Sequence, residues 1–487
     1  MTGTPPTRPP LRDRIVFAVL AIFLVLVVLA GVVFNYPSGA GHPPSSYGTP
    51  VLAQLNLSSA PATVRSPGFF GINLRADVYG GSGMLAKASL PELKTVRWPG
   101  GNLAERYDPL GNGGQGIIYT SNGTTQVPAW TTAQFVSWCR SVGCQAIFTV
   151  PAEIDNASLA AAIVRYVEQT LDFSPAYWEI GNEPSLWQHF GVGWTSWTSL
   201  QQLAVSPTQY ADVVHSYIAA MRAVDPTLRI LGIGGVGAGG TVSQDTWIRD
   251  TVQVNGPNLS AIALHVYPAG SGVSGETAGQ VYSSLQGNKS LPAVVSKAIA
   301  AIHEGCATCN ISLLVDEFNA ATGTNLNPFL SGPLLVPYVA GEVTQGLSLN
   351  LTTMDLWVFQ SGYAGSLFTP SGNARPLYSL YSSLFNRLGP EVYRVNVSSA
   401  QTDVLAIATE NTTGVPESTL LIVNLNTSVP AQVLLSSTGF PLSAVPTLTL
   451  WSLATSGPAS STYAQGSDTW TLPPESVALL SWNAPLP

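Results

Sequence analysis

Short apolar segments alternate with helix-like segments between residues 69 and 360, and this alternation constrains the fold more than any other feature. The eight candidate strands are Phe69–Leu74, Lys94–Trp98, Ala146–Val150, Tyr177–Gly181, Arg229–Ile233, Ala261–Val266, Ser312–Glu317 and Met354–Phe359. The clearest helix-like segments are Ala133–Val142, Leu159–Thr170, Pro207–Val224, Pro292–Glu304 and Val336–Gln345. Strands that alternate with helices build parallel sheets. Eight strands favour a closed (β/α)8 barrel, the TIM barrel, over residues 67–388; an open sheet with one or two false strands is the alternative.

The sequence pattern changes after residue 388, where helix-like segments give way to short alternating runs separated by turn residues. These runs are Val392–Val397, Val404–Ala408, Thr419–Asn424, Val433–Leu435, Leu448–Leu453 and Ser476–Trp482. Alternation of this kind predicts an antiparallel β-sandwich over residues 389–487. Val51–Leu57, within residues 51–66, is predicted to add a strand to that sandwich.

The N-terminal region contains a long uncharged apolar run. Ile15 to Phe34 is long enough to cross a bilayer as a helix. Arg8, Arg12 and Arg14 precede it, so the positive-inside bias leaves residues 1–14 in the cytoplasm and the rest of the chain outside the cell. Residues 35–50, rich in Pro, Gly and Ser, are predicted to be a linker. The expected location is the cell surface, or secreted if the apolar run is a cleaved signal peptide.

Glycosylation acceptors support an extracellular location independently. Ten Asn-x-Ser/Thr sites occur, at Asn56, Asn122, Asn156, Asn258, Asn288, Asn310, Asn350, Asn396, Asn411 and Asn426. Some of them are accidental in a chain rich in Ser and Thr. Their excess favours an outer surface that carries N-linked glycan.

The four cysteines form two tight pairs in sequence, Cys139 with Cys144 and Cys306 with Cys309. Each pair lies just before a candidate strand. An oxidising exterior favours two local disulfides. A zinc site that uses His303, Cys306 and Cys309 is the alternative, although it lacks a fourth nearby ligand.

Charge is scarce in this chain. Only 9% of residues are charged, and the formal net charge is -8. The absence of basic clusters argues against nucleic-acid binding. Few ionised carboxylates leave little folded-state stability to lose on acidification, so we hypothesise an acidic external habitat.

Two acidic residues stand at the predicted C-terminal tips of two barrel strands. Glu183 ends the segment YWEIGNEP at residues 177–184, where Pro184 has no N–H to continue the strand ladder. Glu317 ends LLVDE at residues 313–317. Barrel active sites lie at this end of the strands. Two facing carboxyl groups are the minimum equipment for cleaving a glycosidic bond, and a separation of about 5–5.5 Å gives a double displacement with retention.

The motifs around these acids resemble those of the clan A retaining glycoside hydrolases. WEIGNEP at residues 178–184 is similar to the acid/base strand of the heparanase and β-glucuronidase family. VRWPGGN at residues 96–102, and FVSWC at 135–139 leading through VGC at 142–144, are similar to strands 2 and 3 of the arabinofuranosidase family. The resemblance spans most of residues 65–485 and implies a TIM barrel with an attached β-sandwich. VDEF at residues 315–318 matches no single family.

The resemblance also implies roles for individual residues. Glu183 would be the acid/base and Glu317 the nucleophile. Asn182 would hydrogen-bond the sugar 2-hydroxyl, and Arg97 would hold Glu317 ionised. Glu317 is favoured over its neighbour Asp316 because it is nearer the strand tip, and strand alternation is expected to turn only one of the two inward.

Three further residues complete the expected sugar site. His265 and Tyr267 match the clan's His-x-Tyr, and Tyr267 would donate to the nucleophile. Trp357 would form an apolar floor under the sugar ring. Trp187 is a candidate for stacking on the sugar, with core packing as an equal alternative. The structural alternatives are that His265 is a core histidine and that Arg97 forms only a structural ion pair.

These observations predict a retaining glycosidase that acts on an extracellular oligo- or polysaccharide. The two-carboxylate mechanism needs no cofactor, and none is predicted. A catalytically silent carbohydrate-binding or surface protein on the same scaffold is the rival, because a fold does not prove activity. The sequence leaves open the sugar, the linkage, exo or endo action and the oligomeric state.

Overall fold

A computed structural model describes most of the chain beyond its N-terminal region. The described residues are 47–78, 93–120, 124–187, 205–235, 242–270, 273, 275–322, 328–400, 403–412, 417–436, 439–441, 444–453, 459–462 and 469–486. The predicted spanning segment Ile15–Phe34 lies outside them, as do residues 1–14 and most of the linker. No helix within these ranges is both long and apolar enough to cross a bilayer.

Strands and helices follow the order that the sequence predicts. The strands are β1 (Val51–Leu57), β2 (Thr63–Val64), β3 (Phe70–Asn73), β4 (Thr95–Trp98), β5 (Tyr107–Asp108), β6 (Ile117–Tyr119), β7 (Thr125–Gln126), β8 (Gln145–Val150), β9 (Tyr177–Ile180), β10 (Ile230–Gly234), β11 (Ala261–Val266), β12 (Ser312–Phe318), β13 (Met354–Leu356), β14 (Glu391–Ser399), β15 (Val404–Asn411), β16 (Glu417–Asn424), β17 (Ala431–Leu435), β18 (Thr447–Trp451), β19 (Ala459–Thr462), β20 (Thr469–Leu472) and β21 (Ser476–Trp482). The helices are α1 (Thr132–Val142), α2 (Ala157–Val164), α3 (Pro207–Arg222), α4 (Gln244–Asn255), α5 (Ala278–Ser283), α6 (Leu291–Gly305), α7 (Pro328–Ser331), α8 (Leu335–Leu347) and α9 (Pro376–Arg387).

The first domain is a closed parallel barrel, as predicted. Within the described residues its strands hydrogen-bond in the order β3-β4-β8-β9-β10-β11-β12-β13 and close back on β3. Each observed strand lies within three residues of its predicted bounds. All eight are buried along most of their length, which explains why they read as continuous apolar runs. The C-terminal ends of these strands therefore meet at one rim.

Two helices begin next to residues whose side chains cap the first helical turn. Thr131 caps α1, and its side chain accepts from the backbone N–H of Gln134, whose side chain accepts from the Thr131 N–H in return. Ser206 and Gln209 form the same capping box at α3. Satisfying the free N–H groups of a first turn in this way fixes where each helix begins.

A small antiparallel sheet of β5, β6 and β7 between β4 and α1 was not predicted, and neither were β2, β19 and β20 of the second domain. A 3-10 helix, Gly101–Arg106, joins β4 to this small sheet. The strands of the small sheet contain only two or three residues each, too few for an alternating pattern to show.

The second domain is a curled antiparallel sheet rather than two separately bonded layers. Among the described residues, ten strands are linked in the path β19-β18-β21-β16-β15-β14-β1-β17-β20, with β2 on β14. As expected, β1 joins this sheet: it pairs antiparallel with β14 and parallel with β17. Because each strand on this path is hydrogen-bonded to the next, the sheet does not divide into two layers.

The curled sheet is buried on both faces, with side chains that alternate in direction along each strand. Leu421 and Val423 belong to the core shared with the barrel and its helices. Leu420 and Ile422 belong to a second core enclosed by the curl. The two domains therefore share one continuous apolar interior.

Both predicted disulfides are present. Cys139 in α1 is bonded to Cys144, just before β8, and Cys306 after α6 is bonded to Cys309, before β12. Each bond ties the end of a helix to the strand that follows. The cysteines are therefore not free to bind zinc.

Candidate active site

Arg97, at the C-terminal half of β4, is the centre of the polar cluster inside the barrel rim. Its side chain is fully buried. The guanidinium forms a bidentate pair with Glu179 at 2.7 and 3.0 Å. It also donates to Glu317 Oε1 at 2.5 Å and to Asn182 Oδ1 at 2.8 Å. One cation on β4 therefore orients residues on β12 and on or just after β9.

Two acids lie deepest in the cluster and share the field of Arg97. Asp316 Oδ2 lies 3.2 Å from Arg97 Nε, and Glu179 also accepts from Thr149 at 2.5 Å. Burial raises the pKa of Asp316 well above its usual range, and the neighbouring Glu179 charge adds to the rise. Burial acts against ionisation of Glu179 as well, but the Arg97 pair outweighs it and lowers the pKa of that carboxyl. Glu179 is therefore the ionised partner and Asp316 the neutral one.

The expectation that only one of Asp316 and Glu317 turns inward is wrong. The register between β11 and β12 shifts at this point, so that His265 pairs with Glu317 and Asp316 is the extra residue of a bulge. A bulge re-aims the side chains that flank it. Asp316 points toward the Arg97 pair and Glu317 toward the rim, and both side chains are buried.

Glu317 is held by two hydrogen-bond donors. Arg97 Nη1 donates to Oε1, and the Tyr267 hydroxyl, just beyond β11, donates to Oε2 at 2.8 Å. Burial raises the pKa of Glu317, while the charge of Arg97 and the Tyr267 hydrogen bond act against that rise. The structure therefore brings Arg97 and Tyr267 to Glu317 as donors, while the role of Glu317 itself stays a prediction.

Glu183 lies in a different environment. It adopts the left-handed conformation (φ 45°, ψ 61°) immediately after β9, and its N–H donates to the Gly234 carbonyl on β10 at 3.0 Å. Burial raises the pKa of its carboxyl to about 7. No Lys or Arg in the described ranges forms an ion pair with Glu183. Its carboxyl therefore keeps its proton to a higher pH than an ordinary glutamate.

His265, on β11, lies between the two carboxyl groups. Its Nδ1 is 3.1 Å from Glu183 Oε1 and 3.4 Å from Glu317 Oε2. One ligand atom from each of the three side chains falls within 4.8 Å of the others. Burial lowers the pKa of His265 to about 4, so the ring is neutral. Glu183 and Glu317 therefore each place a carboxyl oxygen within 4.8 Å of the other, on either side of a neutral histidine.

Asn182 and Trp187 take part in the site differently from each other. Asn182 accepts from Arg97 and donates from Nδ2 to Asn102 Oδ1 at 2.9 Å. Trp187 is fully buried, and its indole N–H donates to the Asn182 carbonyl at 2.9 Å. The structure thus places Trp187 in the core beneath the loop, which argues against the prediction that it stacks on a sugar.

Trp357, just after β13, forms one wall of the site. Its ring packs so closely on Gly101 that a Cβ there would lie 2.2 Å from Trp357 Cη2. The Asn319 side chain donates to its carbonyl at 2.6 Å. Trp357 is half-buried, so part of the ring remains exposed as a floor would require.

Two residues of the site were not predicted. Asn73 on β3 donates to the Asp316 carbonyl at 2.8 Å and accepts from Arg97 at 3.3 Å. Glu105, on the 3-10 helix after β4, accepts the N–H of Asn182. A polar residue at the end of an apolar strand was the available signal for Asn73. Glu105 follows a loop whose path the sequence does not determine.

Two triads contain enough donors for a cation, namely Glu179, His265 and Asp316, and Glu183, His265 and Glu317. Arg97 already supplies positive charge to Glu179, Asp316 and Glu317. The guanidinium thus pairs with two of the acids of the first triad and with Glu317 of the second.

Comparison with known proteins gives one curated relative and many similar folds. No family model matches the chain. A probable alpha-L-arabinofuranosidase C from Aspergillus clavatus is 26% identical over 196 residues, which cover 37% of this chain and 38% of that protein. The match therefore spans well under half of the relative.

The similar solved structures cover nearly the whole chain. A family 51 alpha-L-arabinofuranosidase, AbfB from Bifidobacterium longum, has a TM-score of 0.71 and 17% identity over 90% of this chain and 100% of that one. The alpha-L-arabinofuranosidase of Thermotoga maritima, in an arabinose complex, has a TM-score of 0.67 and 17% identity over 88% and 99%. These likenesses confirm the TIM barrel with a β-rich C-terminal domain. The names of these proteins agree with the resemblance to glycoside hydrolases that the sequence motifs indicate.

Proposed function

We propose that this protein is a retaining glycosidase in which Glu183 is the acid/base and Glu317 the nucleophile. The observation that carries the proposal is the pair of carboxyl groups around His265, with oxygens within 4.8 Å, in two unlike environments. Glu317 receives donors that favour its ionised form. Glu183 is buried without a cation and keeps its proton. Environments that separate two acids in this way give them separate roles.

The reaction follows from these positions. Glu317 attacks the anomeric carbon while Glu183 gives its proton to the departing oxygen, which leaves a covalent glycosyl-enzyme. Glu183, now ionised, then removes a proton from water, and the water displaces Glu317. Neutral His265 keeps both carboxyl groups in place without adding charge.

The substrate that we propose first is an alpha-L-arabinofuranoside, since the curated relative and the similar structures carry that name. A neutral sugar is consistent with this interior, because the central cation, Arg97, already pairs with three acids. The length of the products distinguishes exo from endo action.

We further propose that the protein works outside the cell, with Ile15–Phe34 as anchor and N-linked glycan on its surface. Nine of the ten acceptor asparagines lie in the described ranges, and each is at least partly exposed; the more exposed ones are Asn288, Asn310, Asn350 and Asn396. Membrane fractionation before and after deglycosylation tests both parts. Protein that stays soluble with its N-terminus intact, or that shows no mass shift, contradicts the corresponding part.

The catalytic proposal is tested on a panel of aryl glycosides that includes the arabinofuranoside. Glu183→Gln should lower kcat/KM by about 10²- to 10⁴-fold, the range expected when a positioned acid is removed. Glu153→Gln is the matched control, because Glu153 is another buried carboxyl and lies outside the site. Hydrolysis that survives Glu183→Gln in full removes Glu183 from the mechanism. Sugar binding without hydrolysis of any glycoside favours the silent binding protein instead.

A further inference from the structure

The loop that carries the acid/base has an unusual set of main-chain hydrogen bonds. Gly181 donates to the Val150 carbonyl on β8, and Glu183 donates to the Gly234 carbonyl on β10, both at 3.0 Å. The N–H of Asn182, between them, donates instead to a side chain, Glu105 Oε1, at 2.5 Å. Because a buried N–H needs a partner, Glu105 completes the hydrogen bonding of this loop.

Glu105 binds a second loop with its other oxygen. Oε2 accepts the N–H groups of Ala152 and Glu153, which follow β8, at 2.8 and 2.9 Å. Its side chain is 2% exposed, so water does not compete for these bonds. A residue from the loop after β4 thus fastens the ends of β8 and β9 to each other.

Glycine at position 181 allows this approach. Gly181 has φ 77°, and a Cβ there would lie 3.0 Å from Glu105 Oε1. Main chain and carboxylate are therefore in direct contact just before Asn182. Any movement of the carboxylate moves the backbone that aims Asn182 and Glu183.

Only a carboxylate fits this position. Three N–H groups point at its two oxygens, and an ionised carboxylate offers acceptors alone. A glutamine offers one oxygen and one NH2 group, so in either orientation an N–H faces another donor. Unmatched donors at a buried site displace the chain that carries them.

We propose that Glu105 is a positioning residue that sets the aim of the Asn182–Glu183 loop through the main-chain N–H of Asn182. It touches no reacting atom. This inference rests on the proposed function, since it assigns Glu105 to the delivery of the Glu183 proton.

The test compares two substrates that differ in how much they need that proton. Dinitrophenolate leaves from a dinitrophenyl glycoside with little protonation. Methanol leaves from a methyl glycoside only when its oxygen receives a proton. All variants are assayed at one and the same pH, because burial raises the pKa of both Glu105 and Glu183 to about 7 and a change of pH would alter the ionisation of both. The quantity is kcat/KM, which reports the steps up to formation of the glycosyl-enzyme.

Glu105→Gln should lower kcat/KM for the methyl glycoside by about 10- to 100-fold, as a displaced catalytic group does, and for the dinitrophenyl glycoside by only a few-fold. Glu342→Gln, which changes a buried carboxyl on helix α8 with no side-chain hydrogen-bond partner in the described structure, should leave the ratio of the two substrates unchanged. The ratio does not depend on how much of the variant folds. Should Glu105→Gln yield no folded protein, Glu105→Asp, which keeps the charge but shortens the reach, is judged by the same ratio.

An equal fall in kcat/KM on both substrates, or a ratio equal to that of Glu342→Gln, overturns the inference. Wild-type protein that hydrolyses no glycoside overturns the proposed function instead. The two failures are therefore distinguishable.

Discussion

At the scale of single residues, the site separates two glutamates by what surrounds them. Glu317 lies against Arg97 and Tyr267, whereas Glu183 forms no ion pair with Lys or Arg in the described part of the chain. In the proposed mechanism, this difference in hydrogen-bond donors makes one an acid and the other a nucleophile.

The pH dependence of hydrolysis should report Glu183 directly. An acid whose pKa is raised to about 7 is protonated below that pH and ionised above it. We therefore expect kcat/KM to fall as pH rises through about 7, tenfold per pH unit beyond it. In Glu183→Gln the residual rate should lose this basic limb, since the amide does not titrate. A basic limb that persists in the variant assigns it to another group.

Much of this site could be predicted because its residues end apolar strands. Arg97, Glu183, His265 and Glu317 all lie at strand tips, where a barrel brings them together. The inward turn of Asp316 could not be predicted, because a bulge is a property of strand pairing. Glu105 was missed for a related reason: its partners are main-chain N–H groups, which every sequence contains.

At the scale of elements, the turn after β4 supports the wall of the site. Gly101 begins the 3-10 helix with φ 67°, and its missing side chain leaves room for Trp357 after β13. Strands β4 and β13 are thus coupled at the rim through one glycine.

Gly101→Ala should displace the Trp357 ring and lower kcat/KM by about 10- to 100-fold. Gly113→Ala is a matched control, since Gly113 also has φ 67° but a Cβ there meets nothing within 4 Å. Both variants should lose about 1–2 kcal/mol of stability to backbone strain. Steady-state kinetics and urea unfolding separate the two effects. Activity in Gly101→Ala that equals the activity in Gly113→Ala contradicts a role for the Trp357 wall.

The elements themselves were predictable to the extent that they are long and periodic. All eight barrel strands were located, because burial on both faces makes each an uninterrupted apolar run. The strands β5 to β7 were not, being two or three residues long. The curl of the second domain was also missed, since strand patterns show which side chains are buried and not which strands are neighbours.

At the scale of the whole molecule, buried carboxyl groups dominate the response to pH. Burial raises the pKa of Glu105 to about 7 and of Glu153 to about 8. It raises the pKa of Asp316, Glu342 and Asp355 well above their usual range as well. In the unfolded chain these groups return to ordinary values. Between about pH 4.5 and 8 the folded state therefore holds more protons, and stability must fall as pH rises.

We expect the melting temperature to be higher near pH 5 than near pH 8 by about 5 °C, given about 3 kcal/mol for each shift of this size. Glu153→Gln should stabilise the protein at pH 8 and change little at pH 5, because it removes the charge that burial opposes. Calorimetry across this range measures both effects. A protein that is most stable at pH 8 contradicts the expectation and the hypothesis of an acidic habitat.

The strand β1 has a consequence for how the chain is made. It precedes the barrel in sequence yet sits between β14 and β17, which the ribosome produces more than three hundred residues later. During synthesis both edges of β1 stay unpaired until the second domain emerges, although the barrel can already close. The second domain is therefore not contiguous in sequence, and dividing the gene at residue 389 separates a strand from its sheet.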